Sequence, residues 1–477
     1  MAVNVPSALG AAQVSRFRWS TGEIPHSTSG LDANARPGFD GAMPVHQIDP
    51  SSYPDSELSQ HLLTVRGIQW AHGVHGDPYA LILRDQDPDL HRLYGELRAG
   101  PSLRQSQLGA WATVSHSVAR AILGDRRLGL SHPDTGPDDR TLYALGSRVP
   151  PQHVLTLDGA FLGLSHADHD RLHEFARPAL GVAAVDRHRD AVAGETAAIA
   201  GRLGGEFDLM TGFARPAAVA ATAALFGLTA EEHARLGLLC PDAATALDAL
   251  LCPPTLATTR ALVTSIEGIQ ELFSGLIERR SGSAGDDALS ELLRGAEGPP
   301  YEDVLAAAVL TAVVGVEVSA NLVCDAVLAL LDHPEQWTSL CESPELAVGA
   351  VEETLRYHSP VRLESRIALE DLELAGQVIR KSEQVVVLVE AANRDPEAFA
   401  DPDDFLITRP DVAGHLTLTG GLHTTFVAPQ ARLQAVVALR TLAARFPRLR
   451  RTGPVIRRRR SPVVRGVARC PVAVGQS

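Results

Sequence analysis

The sequence predicts a mainly helical protein with a small section of β-strands, folded as one large domain. Ala- and Leu-rich segments with helical spacing recur from residue 59 to about residue 331. Runs of β-branched residues concentrate in the last third of the chain. No internal repeat is visible, and the strand-rich section does not separate from the helical part as a second domain.

Residues 1–58 differ in character from the rest. They are rich in Ser, Gly, Pro and Ala and show no sustained periodicity. We therefore predict a poorly ordered N-terminal extension there, followed by a single domain over residues 59–477.

Within the domain, the hydrophobic spacing predicts each element in turn. The almost wholly apolar stretch 301–331 predicts a central, buried helix, because its interior carries few charges. The other expected helices cover 88–99, 115–123, several segments between about 185 and 280, and 429–445. The expected strands cover 109–114, 372–374 and 384–389.

The composition narrows the possible functions. A net charge of −14 argues against a nucleic-acid binder. No apolar run approaches the ~20 residues that cross a bilayer, and no secretion signal is visible, so we expect no membrane association. Five widely spaced cysteines without zinc-site spacing suit a reducing cytoplasm and predict no metal site.

The most informative motif is the segment 415–432, HLTLTGGLHTTFVAPQAR. It resembles the haem-binding loop of the cytochromes P450, whose pattern is Phe-Gly-x-Gly-x-His-x-Cys-x-Gly followed by Leu-Ala-Arg. Four residues keep this pattern at the right spacing: Gly421, His423, Ala431 and Arg432. The cysteine position holds Thr425. A thiolate donates electron density to haem iron, and a neutral threonine hydroxyl does not replace it.

The resemblance extends to a charged cluster that supports the fold. Glu353 and Arg356 match the family's Glu-x-x-Arg motif, and Arg409 occupies the place of the third member. Glu-x-x-Arg alone is usually a solvated helix face. Followed by residues 391–396 and Arg409 in the family's order, it implies a buried, charge-assisted cluster and a cytochrome P450 fold.

Two further motifs keep their frame and lose residues tied to haem chemistry. In the central helix the family reads Ala-Gly-x-Glu/Asp-Thr-Thr; here the acid is Glu317, but Val318 replaces the hydroxyl that helps deliver protons. The segment 165–173 resembles a family motif whose His and Arg hold a haem propionate. His169 remains and His173 stands at the arginine position, which weakens anion binding.

Arg366, another propionate partner by position, is retained. Taken together, the resemblance implies a vestigial haem site without a catalytic residue or a cofactor. His169 and His173 at helical spacing could instead hold a metal, but no further ligand is obvious.

The C-terminal region is strongly basic and contains four consecutive arginines: Arg457, Arg458, Arg459 and Arg460. These arginines could be solvated, paired inside the protein, or available to dock an acidic partner. Because the whole chain is acidic, this local excess of positive charge predicts a docking surface for an acidic partner.

A narrower resemblance is to haem-free cytochrome P450 homologues that act as auxiliary proteins of deoxysugar glycosyltransferases in macrolide and anthracycline antibiotic pathways. It runs from about residue 60 to the end and is carried by four segments: 65–70, 76–79, 390–396 and 453–466 (GPVIRRRRSPVVRG). It implies a non-catalytic cytoplasmic protein that binds, stabilises and activates a transferase of a dTDP-linked deoxysugar, by family expectation an aminodeoxysugar.

Two other functions stay open at this point. One is a cytochrome that holds haem through His423 or a distant cysteine such as Cys470. The other is a small-molecule binding module that uses the vacated haem cavity. Motifs of serine hydrolases, P-loop proteins, zinc proteases and dinucleotide-binding proteins are absent from the sequence.

Overall fold

Helices form most of the structure, a computed structural model that describes residues 50–51, 54–84, 90–130, 155, 157, 160–283, 285–294, 300–419 and 424–475. The helices are α1 (Asp55–Val74), α2 (Pro78–Arg84), α3 (Leu90–Arg98), α4 (His116–Gly124), α5 (His166–Leu180), α6 (Val182–Asp186), α7 (Arg189–Gly201), α8 (Arg215–Phe226), α9 (Ala230–Ala243), α10 (Ala246–Ala249), α11 (Leu256–Gly282), α12 (Ala288–Arg294), α13 (Tyr301–Leu310), α14 (Val316–Asp332), α15 (Pro334–Glu342), α16 (Ala347–Tyr357), α17 (Val389–Ala392) and α18 (Thr424–Arg445).

Short strands make up the small β section. They are β1 (Arg104–Gln105), β2 (Trp111–Thr113), β3 (Leu128–Gly129), β4 (Glu206–Asp208), β5 (Leu363–Ala368), β6 (Leu372–Leu374), β7 (Gln377–Ile379), β8 (Gln384–Leu388), β9 (Leu449–Arg451), β10 (Ile456–Arg457), β11 (Val467–Arg469) and β12 (Pro471–Val474). A mixed sheet has the order β1-β2-β8-β5-β3, in which β2 and β8 run parallel. In a second sheet, β12 lies between β4 and β9 and ties the C-terminal strand to the helical part of the chain.

The predicted central helix is confirmed as α13 and α14, joined by the π-helical turn Thr311–Gly315. Residues 311–330 are all buried. The expectation that no run is long enough to cross a membrane is wrong for this segment. Tyr301–Asp332 spans 32 residues with a mean hydropathy of 1.9 in its most apolar window, and that window is wholly buried inside the protein.

Several element boundaries differ from those predicted. The last helix begins at Thr424 instead of residue 429, so Pro429 lies inside it. Proline removes one helical hydrogen bond, but Phe426 and Val427 of that turn are buried, and their packing outweighs the loss. Most of the predicted N-terminal extension lies outside the described residues, and α1 begins within it at Asp55.

The predicted charged cluster lies buried between α16 and the segment that follows α17. Arg356 donates hydrogen bonds to both carboxylate oxygens of Glu353 at 2.8 Å. Arg409 donates to the same two oxygens at 3.1 and 3.2 Å. Both arginines also donate to the carbonyl oxygen of Asp404 at 2.8 Å. Glu353 therefore holds two cations that fix the irregular segment around Asp404 against α16.

We predict that Glu353→Gln lowers the free energy of unfolding by about 3–5 kcal/mol, because two buried guanidinium groups then lack their anion. Urea denaturation of the variant and the wild-type chain measures the change. Glu96→Gln is the matched control, since Glu96 forms an exposed ion pair with Arg92 and its loss should cost less than about 1 kcal/mol. Equal losses for the two variants would show that the cluster does not stabilise the fold.

Candidate functional site

The chain that enters the loop motif is fixed by Asn393. The side-chain carbonyl of Asn393 accepts a hydrogen bond from the backbone N–H of Leu416 at 2.7 Å. Its amide donates to Thr417 Oγ1 at 2.8 Å and to Ser359 Oγ at 3.1 Å. All of these groups are buried. Residues 416–417 are therefore held at the end of α16 through side-chain contacts that do not depend on any cofactor.

Glu352 on α16 links the two sides of the loop. His415, the first residue of the motif, donates to one carboxylate oxygen at 3.0 Å, and Arg432, its last residue, donates to the other at 2.7 Å. Burial favours the neutral acid, but these hydrogen bonds prevail and lower the pKa of Glu352 to about 2. The frame of the motif is thus intact. Gly421 and His423 lie outside the described residues, and Thr425 lies in the first turn of α18.

Four further departures from the loop pattern were missed in the sequence analysis, although comparison with the pattern would have revealed them: Leu418, Thr419, Val427 and Gln430. The glycine that follows the cysteine position by two residues is Val427, which is fully buried. The pattern's leucine is Gln430, also buried, which donates to Thr222 Oγ1 of α8 at 2.7 Å. Gln430 also lies against Gly315, where an added Cβ would stand 3.6 Å from the Gln430 amide. Polar and bulky side chains therefore replace the pattern's small and apolar ones.

The structure brings His169 and His173 together on α5 and places Phe426 against both. The two imidazole rings stack with centroids 6.2 Å apart, and each contacts the Phe426 ring edge-on, at 5.7 and 5.9 Å. Burial, followed by the neighbouring His173, lowers the pKa of His169. His169 is therefore neutral at pH 7, and this part of the vestigial haem site offers little positive charge to an anion.

Arg366 lies on β5 and is buried. It donates to the Glu364 carboxylate at 2.8 Å and to the Ser365 carbonyl oxygen at 2.9 Å. Glu364 and Arg366 are two residues apart on one strand and so share a face of the sheet. By the resemblance, Arg366 would bind a haem propionate. Here its positive charge is neutralised by the carboxylate of Glu364.

Glu317 lies at the start of α14 and is 3% exposed. Its carboxylate accepts hydrogen bonds from Arg215 at 3.0 Å, from Asn321 at 2.5 Å and from Arg458 of the basic tail. The neighbouring Val318 is fully buried. Glu317, which the motif associates with proton delivery, is held in ion pairs with two arginines.

Of the four tail arginines, Arg457 and Arg458 form ion pairs inside the protein, the second of the three alternatives that the sequence left open. Arg457 pairs with Asp325 at 2.8 Å and Arg458 pairs with Glu317, and both arginines are largely buried. The reason is that buried carboxylates on α14 require cations nearby. Arg459 is exposed and Arg460 is half-buried.

The turn that follows these arginines is held by Asp248 on α10. Asp248 accepts hydrogen bonds from Ser461 Oγ at 2.6 Å and from the backbone N–H groups of Val463 and Val464 at 2.9 and 3.1 Å. Asp248 is buried. The tail is therefore an internal element of the fold at this turn.

The described residues do not fit a haem group. Haem iron of this family requires a thiolate, and the cysteine position is Thr425. Haem propionates require cations, whereas His169 is neutral at pH 7 and Arg366 is paired with Glu364. In the part of the chain that the structure describes, no three His, Cys, Asp or Glu side chains cluster as metal ligands.

Cys470, considered as a distant ligand, is also unsuited to iron binding. It lies at the junction of β11 and β12, is fully buried, and donates its backbone N–H to Asp208 of β4 at 2.7 Å. Burial, together with the Asp208 carboxylate, raises the pKa of the Cys470 thiol to about 12. The thiol is therefore protonated at pH 7, and only a thiolate is an effective ligand.

Comparison with known proteins relates this arrangement to one family. Residues 344–417 match the family model described as Cytochrome P450. Protein AknT of Streptomyces galilaeus is 47% identical over 88% of this chain and 96% of its own length. The cytochrome P450 family protein EryCII of Saccharopolyspora erythraea is 32% identical over 87% of this chain and 97% of its own. The ligand-free crystal structure of CYP164A2 from Mycobacterium smegmatis has a TM-score of 0.71, 27% identity, and coverage of 83% of this chain and 99% of that one.

Asp248 gives the tail contact a pH dependence. Burial raises the pKa of Asp248 from 3.8 to about 6, against the opposing charge of Arg458. Between these values the folded chain keeps a proton that the unfolded chain releases. Stability is therefore expected to fall as pH rises from about 4 to 6, by on the order of 3 kcal/mol, and to stay level above that.

The measurement is the free energy of unfolding between pH 4 and 7 for the wild-type chain and for Asp248→Asn. Asparagine is neutral throughout, and its carbonyl can still accept from the Val463 and Val464 N–H groups. The variant should gain stability relative to the wild-type chain as pH rises through this window. Parallel curves would show that Asp248 titrates as it does in water.

Proposed function

The chain belongs to the cytochrome P450 family, and on that premise we propose that it is a non-catalytic auxiliary protein of a deoxysugar glycosyltransferase in antibiotic biosynthesis. It binds the transferase in a heteromeric complex, stabilises it and activates it. The transferase carries the chemistry, and this chain supplies a folded surface.

One observation carries this conclusion: the supporting residues of the fold are retained while the residues of the oxidising centre are replaced. Glu353 holds Arg356 and Arg409, and Asn393 fixes the chain that enters the loop. At the centre, Thr425 stands at the ligand position and Arg366 pairs with Glu364. A fold whose scaffold persists after the loss of its reactive residues has a use other than oxidation, and binding another protein is such a use.

The binding role is supported by the narrower sequence resemblance to auxiliary proteins, which spans most of the chain. It assigns the transferase a dTDP-linked sugar, an aminodeoxysugar by family expectation, and both sugar and acceptor bind to the transferase. The complex is cytoplasmic, in keeping with five cysteines that all carry free thiols.

Two physical effects can produce activation. A protein that binds only the folded transferase adds RT ln(1 + [L]/Kd) to its stability and so raises the active fraction. A protein that binds the active conformation more tightly than the inactive one raises the turnover of transferase that is already folded. The two effects differ at low temperature, where an unstable transferase stays folded and only the second effect persists.

The test uses a candidate partner deoxysugar transferase, purified alone and co-expressed with the full chain. We expect the two proteins to co-purify, the transferase turnover to rise to a plateau as the chain is added, and the purified chain to be colourless. An equal mass of an unrelated protein is the control for crowding, which favours compact states by under about 1 kcal/mol.

A red protein with a Soret band that oxidises a substrate in the presence of a reductase would contradict this function. So would a transferase whose turnover and thermal midpoint are the same with and without the chain.

A further inference from the structure

The outer face of α1 is an apolar stripe that is largely exposed, although the Arg84 guanidinium lies over the Trp70 ring, 5.9 Å from its centroid. Leu63, Trp70 and Val74 are 58%, 56% and 55% exposed. With Gly67, which is also exposed, they follow the spacing i, i+4, i+7 and i+11 and so lie along one side of the helix. The opposite side of α1 is buried in the core.

This stripe differs from the usual surface of a helix in a soluble protein. Between Leu58 and Val74 the only Asp, Glu, Lys or Arg is Arg66. A solvated helix face normally carries charged residues, and single exposed apolar residues such as Leu238 on α9 need no special account. Three large apolar side chains in a row, with a glycine that allows close approach of another backbone, indicate an interaction surface.

Positive charge borders the stripe on one side. Arg66 donates to the carbonyl oxygens of Pro253 and Pro254 at 3.3 and 2.8 Å, and Gln69 donates to that of Leu251 at 2.8 Å. The same linking segment begins after Asp248, which holds the turn that follows the tail arginines. α1 and the tail turn therefore meet at residues 248–254.

Three arginines lie at or next to this meeting point, whereas its one acid, Asp248, is buried and bonded to the tail turn. Burial, and after it the charge of Arg460, lowers the pKa of Arg66. Arg459 is exposed beside Arg460 in the chain. Within the described ranges, none of these three arginines forms an ion pair with a carboxylate, although the chain as a whole has a net charge of −14. Arginines that form no such ion pair are complementary to a carboxylate on another molecule.

Residues 65–70 and 453–466, far apart in the sequence, both belong to the segments with the narrower resemblance. The structure places parts of both at one location: the first carries Trp70 and Arg66, and the second carries Arg459 and Arg460.

We propose that the outer face of α1 and the adjoining Arg66, Arg459 and Arg460 form the docking surface for the partner transferase. The complementary surface of the transferase is an apolar ridge bordered by Asp or Glu side chains. This assignment rests on the proposed function and adds to it the location of the interface.

The test measures the Kd between the full chain and the purified transferase by titration calorimetry, together with the transferase turnover. Leu63→Asp and Trp70→Asp place a charge in the stripe, and each should raise Kd at least about tenfold, as for a central interface residue. Arg459→Glu should slow association and weaken its dependence on salt. Leu238→Asp and Arg202→Glu are the matched controls, at exposed positions on α9 and directly after α7, and should change Kd less than about twofold.

Each variant is compared with the wild-type chain by urea denaturation, since exposed substitutions should leave the unfolding midpoint unchanged. Stable Leu63→Asp and Trp70→Asp variants that bind the transferase with the wild-type Kd would overturn this location. A wild-type dimer that these variants dissociate, with transferase binding unchanged, would assign the stripe to a second copy of the chain and also overturn it. Absence of binding by the wild-type chain would instead reject the proposed function itself.

Discussion

Buried acids on the central helix must be neutralised from within the protein, and much of the structure around the former haem site follows from this requirement. Glu317 and Asp325 of α14 are almost fully buried. Their cations are Arg215 from α8 and Arg457 and Arg458 from the tail. Removing one partner of such a pair leaves a buried charge that costs several kcal/mol. The basic tail is therefore folded back onto the core, and Asp248 fixes the turn that follows it.

The same requirement explains how the fold persists without a cofactor. Arg366 is neutralised by Glu364 on its own strand, and His169 is neutral because it is buried against Phe426. In a haem-binding relative, the resemblance implies that propionates would meet these positions. Here protein side chains contact these positions instead, so the buried charges are balanced without a prosthetic group. The supporting cluster of Glu353 with Arg356 and Arg409 does not involve the haem positions. The same holds for the contacts of Asn393 and Glu352 that keep the loop frame.

The sequence allowed some of this arrangement to be predicted and not the rest. The burial of Glu353 and Arg356 was implied by the family resemblance, since residues 391–396 and Arg409 follow in the family's order. The apolar stretch implied the central helix, because that signal is local. The inward position of Arg457 and Arg458 was not predictable, since their acids lie more than a hundred residues away on α14. Val427 and Gln430 were visible as departures from the loop pattern, but their burial depends on tertiary packing. The stripe on α1 likewise needed the structure, because the sequence does not reveal which apolar residues of a helix face the core.

The central claim is that the haem site has been rebuilt beyond the loss of one cysteine. Titration of haem into Thr425→Cys, followed by the Soret band, tests this claim most directly, with Thr425→Ser as the matched control. The account predicts that both variants fail to take up stoichiometric haem, because the cations for the propionates are paired or neutral and Val427 and Gln430 occupy small and apolar positions of the pattern. Uptake of one haem per chain by Thr425→Cys, with the spectrum of a thiolate ligand, would contradict it.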